Sequence, residues 1–232
     1  MKTYIASFDI GKVNFAFYVE EVDTRELEVM TTIPKNRRYK SDGTPTEDFE
    51  RLISSIYLTG NTILYKNLNL TEGTEKSKYL DPKIYHNMIK ELDKYRDIFE
   101  KCSIIVIEQQ MSFKNAQNTM ALKLAQHCHS YFVFRYPITE VDNIIFDDSK
   151  EVVEFPAYYK TQVLGAPKKA GKSMTKPERK KWATEKAIDI LMQRGDVETL
   201  EELTTSRKKD DLADTLIQLQ SFKFLRFVDK FL

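Results

Sequence analysis

Tyr4-Ile5-Ala6-Ser7-Phe8-Asp9-Ile10-Gly11-Lys12-Val13-Asn14-Phe15-Ala16-Phe17-Tyr18-Val19 decides the fold of this chain. Two short apolar runs flank Gly11-Lys12-Val13-Asn14, the pattern of two strands joined by a tight glycine-containing turn. Glu26 to Met30 is expected to add a third strand to this meander. Asp81-Pro82 then offers a helix N-cap followed by a proline suited to the first turn. Ile84, Met88, Ile89, Leu92, Tyr95 and Phe99 recur at helical spacing, which predicts a helix to about Glu100. Ser103 to Glu108 is too short and too β-branched for a helix and reads as a buried strand. Asn115 to Tyr131 reads as a helix, Val152 to Phe155 as a strand and Tyr158 to Leu164 as the start of a further helix. Ala166 to Thr175 is a Lys- and Gly-containing loop. Lys176-Pro177-Glu178 begins a helix that continues through Leu191. Asp210 to Phe224 is the last helix, with Leu212, Leu216 and Leu219 on its buried face. A meander followed by alternating elements predicts an α/β fold, a mixed central sheet flanked by helices.

At 232 residues a single domain over 1–232 is expected, with an insertion at about 33–75. That stretch has no sustained period, carries Ser41-Asp42-Gly43-Thr44-Pro45, and is partly helical around Glu47 to Tyr57. Seven glycines and seven prolines are too few for a linker or a low-complexity chain. No window approaches the roughly 18 apolar residues of a membrane span, so no membrane partner is expected. Asp9 inside the first apolar segment speaks against a cleaved signal peptide, and the Arg- and Ser-rich opening of a mitochondrial presequence is missing. An intracellular protein is expected. Cys102 and Cys128 form no CxxC pair, which excludes a disulfide framework or structural zinc and predicts two free thiols.

The formal net charge of +1 hides an uneven distribution. From Pro156 to Lys186 nine basic residues face two acids, a local +7, so the remainder of the chain carries −6. A second basic knot is Lys35-Asn36-Arg37-Arg38-Tyr39-Lys40. Such patches are usually solvated faces, but on a near-neutral protein they also suit an anionic polymer such as nucleic acid.

Asp9 ends the first strand and Glu108 a later one. If these strands are parallel neighbours, both carboxylates leave the same edge of the sheet. Lys208-Lys209-Asp210-Asp211-Leu212-Ala213-Asp214 opens the last helix. Asp211 and Asp214 share a face at three residues apart, and so do Asp210 and Asp214 at four. The spacing leaves open which aspartate accompanies Asp214. Taken singly, Asp9 could start a turn, and Asp210 and Asp211 could be an N-cap and a first-turn acid. Together, acids at strand ends are costly unless something pairs with them. Mg²⁺ prefers oxygen ligands and would relieve their repulsion. Two such ions about 4 Å apart activate water and stabilise a leaving 3′-oxygen. Lys160, just before the Lys-rich loop, is either a surface lysine or a group that holds a phosphate beside the acids. His86, His127 and His129 show no ligand spacing tied to the acids, and His127 and His129 point apart on a helix.

Three segments, Phe8-Asp9-Ile10-Gly11-Lys12-Val13-Asn14-Phe15-Ala16, Ile105-Val106-Ile107-Glu108-Gln109-Gln110 and Lys208-Lys209-Asp210-Asp211-Leu212-Ala213-Asp214, in this order resemble the RuvC-type Holliday-junction resolvases of the RNase H-like superfamily. Those of poxviruses and other large DNA viruses, and their fungal mitochondrial relatives, are the most similar. The resemblance spans about 1–30 and 80–225. It implies an RNase H-like fold and a homodimeric, Mg²⁺-dependent endonuclease that resolves four-way DNA junctions by paired incisions, with Mn²⁺ expected to substitute. It implies Asp9, Glu108, Asp211 and Asp214 as catalytic metal ligands, holding two ions, with Lys160 as the active-site lysine. It also implies a viral origin and a replication site in the host cytoplasm. Lys168, Lys169 and Lys172 would form a basic cover over phosphates, weakening with salt.

The alternative with the same fold is an RNase H-like nuclease acting on RNA–DNA hybrids or on branched and flap DNA. A sugar-kinase or actin-like ATPase also begins with Asp-x-Gly, but it needs a second Gly-rich phosphate loop that this chain does not offer. A non-catalytic DNA-binding remnant would have lost an acid, and none is lost.

Overall fold

The fold is described from a computed structural model, which covers residues 2–74, 80–110, 118–141, 144–168 and 174–232. The meander forms as expected: β1 (Lys2–Asp9) and β2 (Phe15–Asp23) pair antiparallel, with Asp9 opposite Ala16. The chain then departs from expectation. Glu26 to Met30 is not a strand; α1 (Thr24–Glu28) occupies it. The Asp23 carboxylate accepts from the Arg25 amide at 3.1 Å, a side-chain cap that turns the backbone into a helix before a strand can form.

The third strand of the meander lies in the stretch read as an insertion. There α2 (Glu47–Tyr57) is followed by β3 (Gly60–Leu68), which pairs antiparallel with β2. As an edge strand it carries Asn61, Thr62, Lys66 and Asn67 among its apolar residues, which hid its period. Next come α3 (Pro82–Lys94), capped by Asp81, a break at Tyr95, and the short α4 (Arg96–Phe99), so the expected single helix to Glu100 is two. Strand β4 (Cys102–Gln109) leads toward α5 (Thr119–Arg135); the expected helix start at Asn115 lies outside the described residues.

A small antiparallel pair that periodicity did not announce, β5 (Ile138–Val141) and β6 (Ile144–Asp147), forms its own sheet. Then β7 (Glu151–Pro156), α6 (Tyr158–Val163) and α7 (Lys176–Arg194) fall where expected. An unanticipated α8 (Val197–Thr205) precedes α9 (Lys209–Lys223).

The central sheet has the order β3-β2-β1-β4-β7, antiparallel on the β3 side and parallel across β1-β4-β7. It is mixed and flanked by helices on both faces. Alternation along the strands divides the core. Ala6, Phe8, Ile105 and Ile107 pack with α3, α4 and α5, whereas Ile5, Ile104, Val106 and Phe155 pack with α2, α7, α8 and α9.

Helix α9 is more deeply buried than a one-sided helix. Residues 215 to 223 are all buried, polar ones included. Most of the polar groups are matched, although the buried Gln218 Oε1 finds no partner among the described residues. Gln218 Nε2 donates to Ser7 Oγ at 3.0 Å and to the Phe8 carbonyl at 3.2 Å. Lys223 Nζ donates to Glu20 Oε1 at 2.5 Å, Gln220 Nε2 to Glu20 Oε2 at 2.7 Å, and Arg194 Nη2 to Glu20 Oε2 at 3.1 Å. Burial alone would push the Glu20 carboxyl up, but Arg194 and Lys223 hold it at about 2. Gly60 is obligatory beside this cluster, since a Cβ there would fall 1.6 Å from Glu20 Oε1.

Candidate active site

Register brings the first two acids together. In the parallel β1-β4 pair Phe8 is level with Ile107. The next residues, Asp9 and Glu108, therefore leave adjacent strands on the same face, the one covered by α9. That helix carries Asp210 and Asp211 in its first turn, where the helix dipole favours negative charge. Gln218 pins α9 to Ser7 and Phe8, and so fixes the distance between the aspartates of α9 and Asp9.

Lys160 is the hub. It is buried, 5% exposed, which removes the surface-lysine alternative. Its Nζ donates to Glu108 Oε2 at 2.9 Å and lies 3.4 Å from Asp214 Oδ1. Burial works against the charged amine, but Glu108, Asp214 and Asp9 together keep its pKa above the ordinary lysine range. The acids feel the opposite balance. Burial, and then the charge of Glu108, push the Asp9 carboxyl well above its ordinary value despite Lys160. Burial also raises Asp214, with Lys160 opposing and Glu108 adding to the rise. Burial and the adjacent Asp210 push Asp211 up to about 6. The cluster is short of positive charge.

The two aspartates that spacing could not separate behave differently. The Asp210 carboxylate is ion-paired with Lys180 of α7. Although burial works to raise its pKa, that lysine holds it below the ordinary value. Asp211 instead acts on Asp9, and its buried Oδ2 finds no hydrogen-bond partner among the described residues.

A cleft of about 950 Å³ opens onto Glu108, Lys160 and Asp214 and is lined further out by Lys40, Lys168, Lys176 and Arg179. Lys168 thus lines the cleft; Lys169 and Lys172 lie outside the described residues. Sequence reasoning missed Lys180 as the partner of Asp210, although the Lys-rich run contains it. It also missed Gln218, whose only signal was a polar residue in a helix otherwise rich in apolar ones.

The donor chemistry suits a hard divalent cation. All four candidate ligands offer carboxylate oxygens, as Mg²⁺ and Mn²⁺ prefer, and the orphaned Asp211 Oδ2 is an oxygen such an ion would satisfy. Lys160 holds two of them, Glu108 and Asp214, close together. Among the described residues no three His, Cys, Asp or Glu side chains are arranged to hold a metal ion. Among those residues, too, no helix is long and apolar enough to cross a membrane.

No protein-family model matches the chain. It is 34% identical to the uncharacterized protein 170L of invertebrate iridescent virus 6, over 98% of this chain and 91% of that protein. It is 30% identical to the uncharacterized protein 97L of invertebrate iridescent virus 3, over 94% and 98% of the two chains. Among solved structures it is similar to the fowlpox virus resolvase in complex with Holliday-junction DNA, with a TM-score of 0.54, 14% identity and coverage of 95% and 96%. It is also similar to Thermus thermophilus RuvC, with a TM-score of 0.51, 10% identity and coverage of 97% of each chain. The fold is thus the RNase H-like fold of the RuvC-type resolvases, as the sequence resemblance implied.

Proposed function

The chain belongs to the family of the iridescent-virus proteins 170L and 97L, and on that premise we propose that it is a metal-dependent endonuclease that resolves four-way DNA junctions by paired incisions. One observation carries the proposal: carboxylates from β1, β4 and α9 are gathered around a buried lysine that lines a basic cleft. A purely structural ion pair needs one acid for one lysine. An excess of buried acids destabilises the fold and is retained for chemistry.

In this reading Asp9, Glu108, Asp211 and Asp214 hold the divalent cations, Mg²⁺ or Mn²⁺. When bound there, the metal supplies activation of water and stabilisation of the leaving 3′-oxygen of a phosphodiester. Lys160 keeps Glu108 and Asp214 oriented and presents its ammonium where negative charge builds on the scissile phosphate. Lys168, Lys176 and Arg179 neutralise backbone phosphates along the cleft, giving affinity without base readout. Selection of a four-way junction then follows from branch shape and from the separation of two such sites in a homodimer.

The test is cleavage of a synthetic four-way junction beside linear duplex, flap and RNA–DNA hybrid, in Mg²⁺, Mn²⁺, Ca²⁺ and EDTA. Symmetrical nicks in the junction with Mg²⁺ or Mn²⁺ are expected, lost in Asp9→Asn, Glu108→Gln and Asp214→Asn while binding in Ca²⁺ persists. Preferred cutting of the hybrid would replace this reading with that of an RNase H-like nuclease. Wild-type cutting by any of the three variants would remove the site assignment.

A further inference from the structure

Residues 38–46 form a closed loop that the acid cluster does not need, braced from several sides. Arg38 is its root. The buried side chain donates to the Ile33 carbonyl at 2.6 Å and pairs with the Asp229 carboxylate, and the guanidinium lies over the rings of Phe49 and Phe224. At the tip the chain folds back on itself. Lys40 N donates to the Thr44 carbonyl at 2.8 Å and Gly43 N to the Lys40 carbonyl at 3.0 Å, with Gly43 at φ 84°.

The far side is joined to the chain that follows Lys160. Tyr39 Oη donates to the Val163 carbonyl at 3.0 Å, and Lys168 N donates to the Asp42 carbonyl at 2.6 Å. Gly165, at φ 72°, backs so closely onto Pro45 that a Cβ there would meet its Cδ at 2.4 Å. The loop thus moves with the segment that carries the active-site lysine.

Lys40, Ser41 and Gly43 line the same cleft as Glu108, Lys160 and Asp214, and Lys40 and Ser41 are exposed. Lys180, by contrast, is already engaged by Asp210. We infer that this loop is a phosphate-holding wall of the cleft, in which Lys40 binds a backbone phosphate of the DNA strand being cut. The inference rests on the nuclease reading above and extends it to a segment outside the regions that carry the sequence resemblance. A loop braced in this way loses little conformational freedom on binding. It therefore holds one phosphate at a set distance from the acids and fixes which bond of the strand reaches them.

The experiment is fluorescence anisotropy of a labelled four-way junction in Ca²⁺ across a salt series, for wild type, Lys40→Ala, Lys40→Glu and Lys90→Ala, the last a lysine of α3 on the opposite face of the sheet. Removing one phosphate contact is expected to reduce the slope of log K against log salt by about 0.9 and to weaken binding several-fold. Lys40→Glu should weaken it further, and Lys90→Ala should match wild type. Wild-type affinity and slope in both Lys40 variants would overturn the inference and leave the nuclease reading standing. No binding of the junction by the wild type would overturn both. An equal loss in Lys90→Ala would show a diffuse charge effect and overturn the role of this loop alone.

Discussion

Lys160 Nζ lies 2.9 Å from Glu108 Oε2, a bond that ties α6 to the exit of β4. Replacing this lysine removes the cation that Asp9, Glu108 and Asp214 share. Lys160→Gln is expected to lower junction cleavage by about 10²–10³-fold, the usual cost of losing one electrostatic stabiliser. It should also lower the melting temperature in EDTA, since breaking a buried pair costs about 3–5 kcal/mol and each kcal/mol is worth roughly 2–4 °C in a chain of this size. Unchanged melting with activity lost would limit Lys160 to the chemical step.

Asp210 and Asp211 separate by their partners. Asp210→Asn loses the ion pair with Lys180, and cleavage is expected to stay close to wild type. Asp211→Asn should lose cleavage and gain stability. The Asp211 carboxyl is raised from 3.8 to about 6, so between those pH values the unfolded chain gives up this proton first and the folded state weakens as pH rises. A neutral side chain escapes that penalty, and thermal unfolding in EDTA at pH 7 should show a rise of a few degrees. The reverse pattern of activities would move the ligand role to Asp210.

Glu20 governs the acid limit. Its carboxyl is lowered from 4.5 to about 2. The stability it contributes is whole above pH 4.5 and is lost as pH falls toward 2. Glu20→Gln should flatten the melting curve in that window. At pH 7 it should be less stable by about 3–5 kcal/mol, because Arg194 and Lys223 stay buried without an anion. Parallel curves for the two proteins, followed by circular dichroism, would show that Glu20 is not the group responsible.

Two coordinated cuts require two active sites. Sedimentation is expected to report a particle of twice 27.2 kDa, with or without junction DNA. A monomer at micromolar concentration would count against paired incision.

Much of the sheet could be read from the chain because its central strands are buried on both faces and carry unbroken apolar runs, as in Ile104 to Ile107. The edge strand β3 could not, because one flank is open and its polar residues blur the alternation. Glu26 to Met30 looked like a strand by composition, and the outcome turned on the carboxylate of Asp23 reaching a backbone amide two residues on. For the site, Asp9 and Glu108 were visible as acids closing buried strands. That Asp210 faces Lys180 depends on how α7 packs across α9, which no spacing within either helix contains. Glu20 and Lys223, 203 residues apart, gave no local sign of pairing.

The enclosure of α9 from Thr215 to Lys223 bears on how the proposed enzyme would fail. An acid mounted on a mobile loop can drift out of line and return, leaving a population of half-competent molecules. Here the aspartates are rooted in the innermost helix, so misalignment requires the whole hydrophobic centre to come apart. Heat or denaturant should therefore leave each molecule either fully able to cut or wholly inert, with no loosened intermediate that nicks DNA at random.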